Sequence, residues 1–293
     1  EDARRRDFTM NTLLCDLSGR VYDPLGVGVA DLEARYVRFV GDPARRIAED
    51  YLRILRFLRF SAQYGQGEPD RDGMAACRVA ADKVYTLARE RIAQEFLKII
   101  AVDNPVGILK IIAENNILRD VFHSSYDSGM LRVLCDLQLA LEQVRTVPRL
   151  LAVSGCDSTH YAGLEAIMTM PVSYKRFGQN IVEALHKVKE VTPYNYRILI
   201  YFYGYDVAAD AFMMKAARYG LASDIGDIIK RHANWNAPAL PLNGKDLQAL
   251  GVQPGPGLGE ILKRVESWWL EQDFAPNRDD CLAYARSVVH GEP

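Results

Sequence analysis

The sequence predicts an α+β chain in which a short β-containing segment precedes a long helical region. Two observations lead to this prediction. Between residues 11 and 40, short apolar or alternating runs are separated by turn-forming residues, which is typical of strands. After residue 42, apolar residues recur at helical spacing and no further alternating run follows. A strand-containing stub followed by helices alone fits the α+β class.

The β-containing segment is predicted to hold a hairpin and one more strand. Residues 13–17 and 21–22 are apolar runs that flank Ser18 and Gly19, a pair suited to a tight turn. Residues 23–26 (Asp-Pro-Leu-Gly) are predicted to be a loop, and residues 36–40 alternate as in a short strand.

Three helix starts are marked by capping residues followed by proline. They are Asp42 with Pro43, Asn104 with Pro105, and Thr192 with Pro193. The first start precedes helical periodicity from residue 44 to residue 64, which we expect to end at Gly65.

Composition excludes several classes of protein. The 293 residues are 49% hydrophobic and 25% charged with a net charge of -2, which suits a soluble protein with a substantial core. The five cysteines are odd in number and lack C-x-x-C spacing, so we expect reduced, buried thiols in a cytoplasmic protein. No apolar run is long enough to span a membrane. The chain starts on charged residues without Met, which suggests an internal start and a fragment of a longer protein.

The first candidate site is the run Arg5-Arg6-Asp7-Phe8-Thr9-Met10-Asn11. Guanidinium groups offer several donors in a fixed fork that suits phosphate or ribose oxygens. A neighbouring aspartate can hold such a group, and asparagine can donate and accept. The alternative is a solvated basic tail, which basic runs at a chain start often are.

The second candidate site is a helix that carries Arg53, Arg56 and Arg59 at intervals of three. The alternative is an amphipathic helix with a solvated arginine face. However, almost every residue between these arginines is large and apolar, which indicates a buried helix whose arginines need anionic partners. Only Glu49 and Asp50 are available nearby in the sequence, so a bound polyanion is predicted.

Asp50 and Arg53 could together read the edge of a base. At i,i+3 spacing their side chains can meet. A carboxylate accepts from an exocyclic amine, and a guanidinium donates to a ring nitrogen. Cytosine and adenine present that amine beside an unprotonated nitrogen, whereas uracil and guanine present the reverse order. This edge would select C and A.

Both motifs resemble those of one enzyme family. The run from Arg5 to Asn11 matches the R-R-D-F-T-x-N element of class II tRNA CCA-adding nucleotidyltransferases and bacterial poly(A) polymerases. Residues 49–53 match the family's E-D-x-x-R element, an amino-acid template for the incoming base. The resemblance implies nucleotide-binding roles for Arg6, Asp7, Asn11, Asp50, Arg53, Arg56 and Arg59, with Arg5 and Glu49 in support. Arg6 and Asp7 would contact ribose and phosphates, and Arg56 and Arg59 the triphosphate.

The family's glycine-rich element and its D-x-D metal pair have no counterpart in this sequence. The resemblance therefore implies no catalytic residue and no metal ligand in this chain, with Mg²⁺ bound mainly by residues outside it. Asp70-Arg71-Asp72 is a literal D-x-D, but it lies in a polar stretch that we expect to be a loop. Residues 89–95 resemble the family's R-x-x-x-E neck element, which we interpret as structural.

The resemblance implies a remnant of a polymerase-β-like head (residues 1–40), a helical neck (41–123), a helical body (124–236) and an RNA-binding helical tail (237–293). The implied function is transfer of CMP and AMP from CTP and ATP to the tRNA 3′ end, with this chain inactive alone. Poly(A) polymerase of the same family and a non-catalytic RNA- or nucleotide-binding module remain alternatives. The expected partners are tRNA, ATP and CTP, with no membrane and with homo-oligomerisation left open.

Overall fold

The computed structural model describes residues 2–124, 126–156, 158–221 and 225–290. Within these ranges the chain forms one two-stranded sheet and many helices. The strands are β1 (Leu14–Cys15) and β2 (Val21–Tyr22), followed by α1 (Gly28–Glu33), α2 (Pro43–Glu49), α3 (Leu52–Tyr64), α4 (Arg71–Val79), α5 (Arg89–Ile100), α6 (Val106–Glu114), α7 (Ser128–Ala140), α8 (Thr146–Ser154), α9 (Ser158–Gly163), α10 (Val172–Lys187), α11 (Pro193–Tyr203), α12 (Tyr205–Tyr219), α13 (Ile225–Arg231), α14 (Gly244–Ala249), α15 (Pro256–Glu271) and α16 (Arg278–His290). Short 3-10 helices cover Asp2–Arg5, Thr9–Thr12, Ala81–Thr86, Arg119–Val121 and Leu164–Ala166. The predicted α+β class is confirmed.

The predicted hairpin is confirmed, and the predicted third strand is wrong. β1 and β2 pair antiparallel, and the turn is closed by the Asp16 carboxylate, which accepts from the backbone N–H groups of Ser18 and Arg20. Gly19 has φ +84°, a left-handed conformation that glycine adopts without strain. Residues 36–40 form no regular strand, and their only ladder contact is a bridge between Phe8 and Phe39.

The predicted helix starts are confirmed, but the first predicted helix is two helices. Asp42 caps α2 by accepting from the Arg45 N–H at 2.7 Å, and Thr192 caps α11 through the Asn195 N–H. The periodicity of residues 44–64 is interrupted at Asp50, whose backbone is extended (φ −159°, ψ 109°). Its carboxylate accepts from the Leu52 N–H at the start of α3. Asp50 therefore ends one helix and begins the next.

The chain forms two compact units. The first comprises Glu1–Lys189 with Asp210–Gly226, and the second comprises Glu190–Ala209 with Asp227–Pro293. In the first unit, α3 packs against α5 and α6 through apolar residues that are fully buried, namely Ile54, Leu55, Phe57 and Leu58.

The second unit has its own core around Trp269, which is 1% exposed and donates its indole N–H to the Pro276 carbonyl. Leu247, Val265 and Cys281 are buried in the same core. Trp268 stacks on Tyr284 with ring centroids 4.4 Å apart and planes only 10° apart.

All five cysteines are free thiols, as expected, but they are not all buried. Cys77, Cys135 and Cys281 are buried, Cys156 is partly buried, and Cys15 in the hairpin is exposed. The helices described in the structure include none with the length and hydrophobicity needed to cross a membrane.

Candidate functional site

The two sequence motifs converge on one polar recess. Its volume is about 410 Å³, and it is lined by Arg5, Arg6, Asp7, Asn11, Asp50, Arg53 and Arg56. Of the predicted nucleotide-binding residues, only Arg59 lies outside this lining. The recess thus brings together residues more than forty positions apart in the sequence.

Phe8 fixes the first motif beside α3. Its side chain is fully buried, with its ring centroid 5.1 Å from those of Phe39 and Phe60 and 6.1 Å from that of Phe57. Such aromatic pairs stabilise a structure beyond the area they bury. On either side of Phe8, the Val40 N–H donates to the Asp7 carbonyl and the Thr9 N–H donates to the Arg38 carbonyl. Phe8, which directly follows the charged residues of the motif, is therefore its structural anchor.

Asp7 organises the floor of the recess. The residue is 8% exposed. Its Oδ1 accepts from the Phe8 N–H at 3.0 Å and from Asn11 Nδ2 at 2.9 Å. Its Oδ2 lies 2.7 Å from Arg56 Nε and 2.6 Å from Arg56 Nη2. A carboxylate has about four acceptor sites, and these bonds use all of them. Asp7 therefore orients Asn11 and Arg56 toward the recess.

Arg53 is paired with Glu49 and not with Asp50, so the predicted Asp50–Arg53 ion pair is wrong. Arg53 Nη1 donates to Glu49 Oε2 at 2.6 Å and to the Arg46 carbonyl at 2.8 Å. Its Nη2 donates to the Arg5 carbonyl at 3.4 Å, across to the first motif. The hydrogen bond from Arg53 lowers the pKa of Glu49. The helix break explains the difference, because Asp50 is not in helical register with Arg53.

Asp50 is held by an arginine from α5. Its Oδ2 accepts from Arg91 Nη2 at 2.7 Å, while its Oδ1 caps α3. Two of about four acceptor sites remain available to a ligand. Asp50 and Arg53 both line the recess, but each is positioned by a different partner.

Arg59 is paired with Glu95, also on α5. Its Nε donates to Glu95 Oε2 at 2.7 Å, and the two side chains are 14% and 7% exposed. Burial works to raise the pKa of Glu95, but hydrogen bonds from Lys98 and Arg59 outweigh it and lower the pKa. Arg56 and Arg59 thus have acidic partners within the chain, Asp7 and Glu95, in addition to any bound polyanion.

The R-x-x-x-E element, which we expect from the sequence to be structural, lies on α5. Its two charged ends are Arg91 and Glu95. Arg91 binds Asp50 and Glu95 binds Arg59, so this element supports the second motif directly. Sequence reasoning missed both pairs. The available signal was the i,i+4 spacing of Arg91 and Glu95, which places them on one helix face.

The recess has an excess of positive charge. Four guanidinium groups face two carboxylates in its lining, and both carboxylates are already paired. Arg6 is 51% exposed and pairs with the exposed Asp2 at 2.9 Å. Exposed pairs of this kind contribute about 0–1 kcal/mol, so Arg6 can exchange its partner for a ligand anion at little cost.

The described residues do not fit a bound metal ion. Among them, no group of three or more His, Cys, Asp or Glu side chains is placed to hold one. In the literal D-x-D, Asp70 caps α4 by accepting from the Gly73 N–H and is also bonded to the Tyr36 hydroxyl. The predicted loop at residues 70–72 is thus the start of a helix, and Asp70 has a structural role.

Comparison with known proteins shows what this chain is similar to. The Poly A polymerase head domain family matches residues 1–38. The chain is 31% identical to the CCA-adding enzyme of Streptococcus gordonii over 282 residues, which cover 91% of this chain and 67% of that protein. It is 27% identical to the mitochondrial CCA tRNA nucleotidyltransferase 1 of Danio rerio over 303 residues, covering 97% and 66% of the two chains.

The fold is also that of a solved CCA-adding enzyme. The Bacillus stearothermophilus enzyme in complex with CTP superposes with a TM-score of 0.76 at 22% identity, covering 99% of this chain and 74% of that one. The chain spans about two thirds of the length of the curated relatives it matches. With its two motifs and its 31% identity to the Streptococcus gordonii enzyme, the chain belongs to the family of class II CCA-adding enzymes.

Proposed function

We propose that the recess binds the incoming nucleoside triphosphate of an enzyme that adds CMP and AMP to the 3′ end of tRNA. The observation that carries the proposal is the convergence of Arg5, Arg6, Asp7 and Asn11 with Asp50, Arg53 and Arg56 in one recess with excess positive charge. Triphosphates need such charge, and arginine forks bind phosphate oxygens in pairs.

Asp50 and Arg53 are the proposed base-reading pair. Arg53 donates both Nη1 hydrogens and one Nη2 hydrogen to acceptors within the chain. Its Nε–H and its other Nη2–H have no partner among the described residues. Asp50 retains about two acceptor sites. Together they can donate to a ring nitrogen and accept from an exocyclic amine, the pattern of C and A. The supporting pairs with Glu49 and Arg91 would keep this edge fixed during selection.

Arg5, Arg6 and Arg56 are proposed to hold ribose and phosphates, with Asp7 and Asn11 placing them. The proposal extends to Arg59 as a triphosphate contact, although Arg59 lies outside the lining of the recess and is paired with Glu95. By contrast, Arg56 keeps its Nη1 group for a ligand while bound to Asp7. We therefore expect Arg56 to contribute more to triphosphate affinity than Arg59.

The partners follow from the relatives. The Danio rerio protein is a CCA tRNA nucleotidyltransferase, and we propose tRNA as the acceptor for this chain as well. The family uses Mg²⁺, and we propose that it is bound mainly by residues outside this chain, because the described residues offer no group of side chains that could hold it. The division into head remnant (1–40), neck (41–123), body (124–236) and RNA-binding tail (237–293) is part of this proposal.

A binding experiment tests the recess directly. Affinities of the 293-residue chain for CTP, ATP, UTP and GTP are measured by isothermal titration calorimetry, for the unchanged chain and for Arg53→Ala. Each mismatched buried contact costs about 1–3 kcal/mol, so CTP and ATP should bind about 10-fold or more tightly than UTP and GTP. Arg53→Ala should remove most of this preference, whereas Arg71→Ala, an exposed arginine on α4, should retain it. Equal affinity for all four nucleotides in the unchanged chain would reject the base-reading role.

A transfer assay separates the alternatives within the family. The substrate is a tRNA ending before CCA, supplied with CTP, ATP or both. Incorporation of AMP alone would indicate a poly(A) polymerase of the same family, an alternative that the shared motifs leave open. We propose that residues 1–293 alone transfer neither nucleotide, because the family's metal-binding aspartates have no counterpart among them. Measurable transfer by this chain would contradict that part of the proposal.

A further inference from the structure

A second pocket lies in the first compact unit, apart from the recess. It has a volume of about 190 Å³ and is formed by α7, α10, α12 and the residue Cys156. Three apolar side chains and three basic ones contribute to its walls, namely Met130, Leu185 and Met214, and His186, Lys215 and Arg218. It shares no residue with the proposed nucleotide site.

The two strongest cations of this pocket, Lys215 and Arg218, have no acidic partner among the described residues. Among residues 2–124, 126–156, 158–221 and 225–290, no carboxylate lies within 4.0 Å of Lys215 or Arg218. On the same helix, Asp210 does have a cationic partner, since Arg145 Nη1 lies 3.1 Å from it. Burial lowers the pKa of Lys215, and the neighbouring charge of Arg218 lowers it further. Lys215 is thus partly desolvated one helical turn from a second positive charge, without a described counterion.

The helix dipole explains only one of these cations. Arg218 lies in the last turn of α12, where positive side chains are stabilised by the negative end of the helix. Lys215 lies one turn earlier, and this effect falls off within a turn. The helix dipole therefore does not offset the free-energy cost of burying Lys215 beside a second cation.

The size and chemistry of the pocket indicate which anion would fit. Pockets that enclose a whole small-molecule ligand usually measure roughly 300–1,000 Å³. This one is smaller and its lining has no carboxylate or amide side chain that could read a base. The Lys215 ammonium and the Arg218 guanidinium lie beside apolar side chains in the lining of the pocket. This combination suits a phosphate group, because phosphate oxygens accept charge-assisted hydrogen bonds, which are stronger where water is excluded.

We propose that the pocket between α7, α10 and α12 is a phosphate-binding site in which Lys215 and Arg218 supply the donors. The phosphate belongs either to an RNA backbone or to a free phosphorylated molecule. The proposal does not depend on the nucleotide site, because the two sites have no residue in common.

Two measurements on the 293-residue chain test the site and distinguish these sources. The variants are Lys215→Gln and Arg218→Gln, with Arg176→Gln as the matched control, since Arg176 is exposed on α10 and outside the pocket. The first measurement is the melting temperature in inorganic phosphate and in chloride at equal ionic strength. The second is tRNA affinity as a function of salt concentration.

Phosphate should raise the melting temperature of the unchanged chain and of the control above the chloride value, and both pocket variants should lose the rise. If the phosphate belongs to RNA, Arg218→Gln should also lower the slope of log affinity against log salt by about one, while the control leaves it unchanged. The pocket variants could instead lose the rise in melting temperature while the slope for tRNA binding stays unchanged, or while the chain shows no measurable tRNA binding. Either result would assign the site to a free phosphorylated molecule. If phosphate gives no rise beyond chloride and the slopes of Arg218→Gln and Arg176→Gln agree, the proposal is wrong. Arg218 is exposed, so its variant remains informative even if Lys215→Gln fails to fold.

Discussion

Arg149 provides the sharpest test of what holds α5 in place. Its side chain is fully buried and donates to the Gln138 side chain at 2.7 Å. It also donates to the carbonyls of Ile100 at 3.0 Å and Val102 at 2.5 Å, at the end of α5. Terminal helix carbonyls lack partners within their own helix, so Arg149 satisfies acceptors that α5 leaves open, and its bonds to Gln138 and the Ile100 carbonyl are buried.

The predicted perturbation is Arg149→Met, which keeps an apolar chain but removes every donor. Two buried acceptors, Gln138 Oε1 and the Ile100 carbonyl, would lose their partner, at about 1–3 kcal/mol each, which gives roughly 2–6 kcal/mol. Burial lowers the pKa of Arg149, so its removal also relieves a desolvation cost. We therefore expect the lower end of the range, a loss of about 2–3 kcal/mol in the free energy of unfolding.

The assay is urea unfolding followed by far-ultraviolet circular dichroism, with Arg132→Met as the matched control. Arg132 is exposed on α7, and its replacement should change stability by about 0.5 kcal/mol or less. All three tryptophans lie between residues 235 and 269, in the second unit, so tryptophan fluorescence reports on that unit separately. A loss in Arg149→Met no greater than that in Arg132→Met would refute the reasoning that these carbonyls depend on Arg149.

Three further predictions concern the recess and its supports. Phe8→Ala should cost about 3–5 kcal/mol, because it empties a buried aromatic site, and should weaken CTP binding in calorimetry; unchanged CTP affinity would contradict its anchoring role. Arg91→Ala should reduce the preference for CTP over UTP while Asp50 remains in place, and an unchanged ratio would show that Asp50 needs no support from α5. The lowered pKa of Glu95 means that its ionised form stabilises the fold above its ordinary pKa of 4.5, and that this stability is lost as pH falls through the lower folded value. Glu95→Gln should flatten this part of the pH–stability curve, and a curve parallel to that of the unchanged chain would exclude the Arg59–Glu95 pair as its source.

The features predicted correctly from sequence are those set by local chemistry. Asp42 and Thr192 cap helices because an oxygen at that position reaches an N–H three residues on. The hairpin follows from a glycine that accepts positive φ. Each depends on fewer than ten consecutive residues, so its physical cause is visible in the sequence itself.

The features that sequence reasoning missed depend on distant partners. The helical periodicity of apolar residues continues through Asp50, so the sequence does not indicate that one helix ends there and another begins. The helix break becomes apparent only with the hydrogen bond that Asp50 accepts from Arg91, 41 residues later in the chain. The motif analysis identified the arginines of the recess but assigned Arg53 to the wrong acid, because i,i+3 spacing assumes an unbroken helix. The packing of separate segments decides which acids neutralise Arg56 and Arg59, and no local sequence pattern indicates that packing.

Two of the three arginines of α3 are matched to acids that lie far away in the chain. Arg56 pairs with Asp7 across 49 positions and Arg59 pairs with Glu95 across 36. Long-range contacts require loop closure before they stabilise anything, which slows folding. A buried arginine whose acid has not yet arrived is also unfavourable. We therefore expect this region to consolidate late, after both flanking segments have collapsed onto α3.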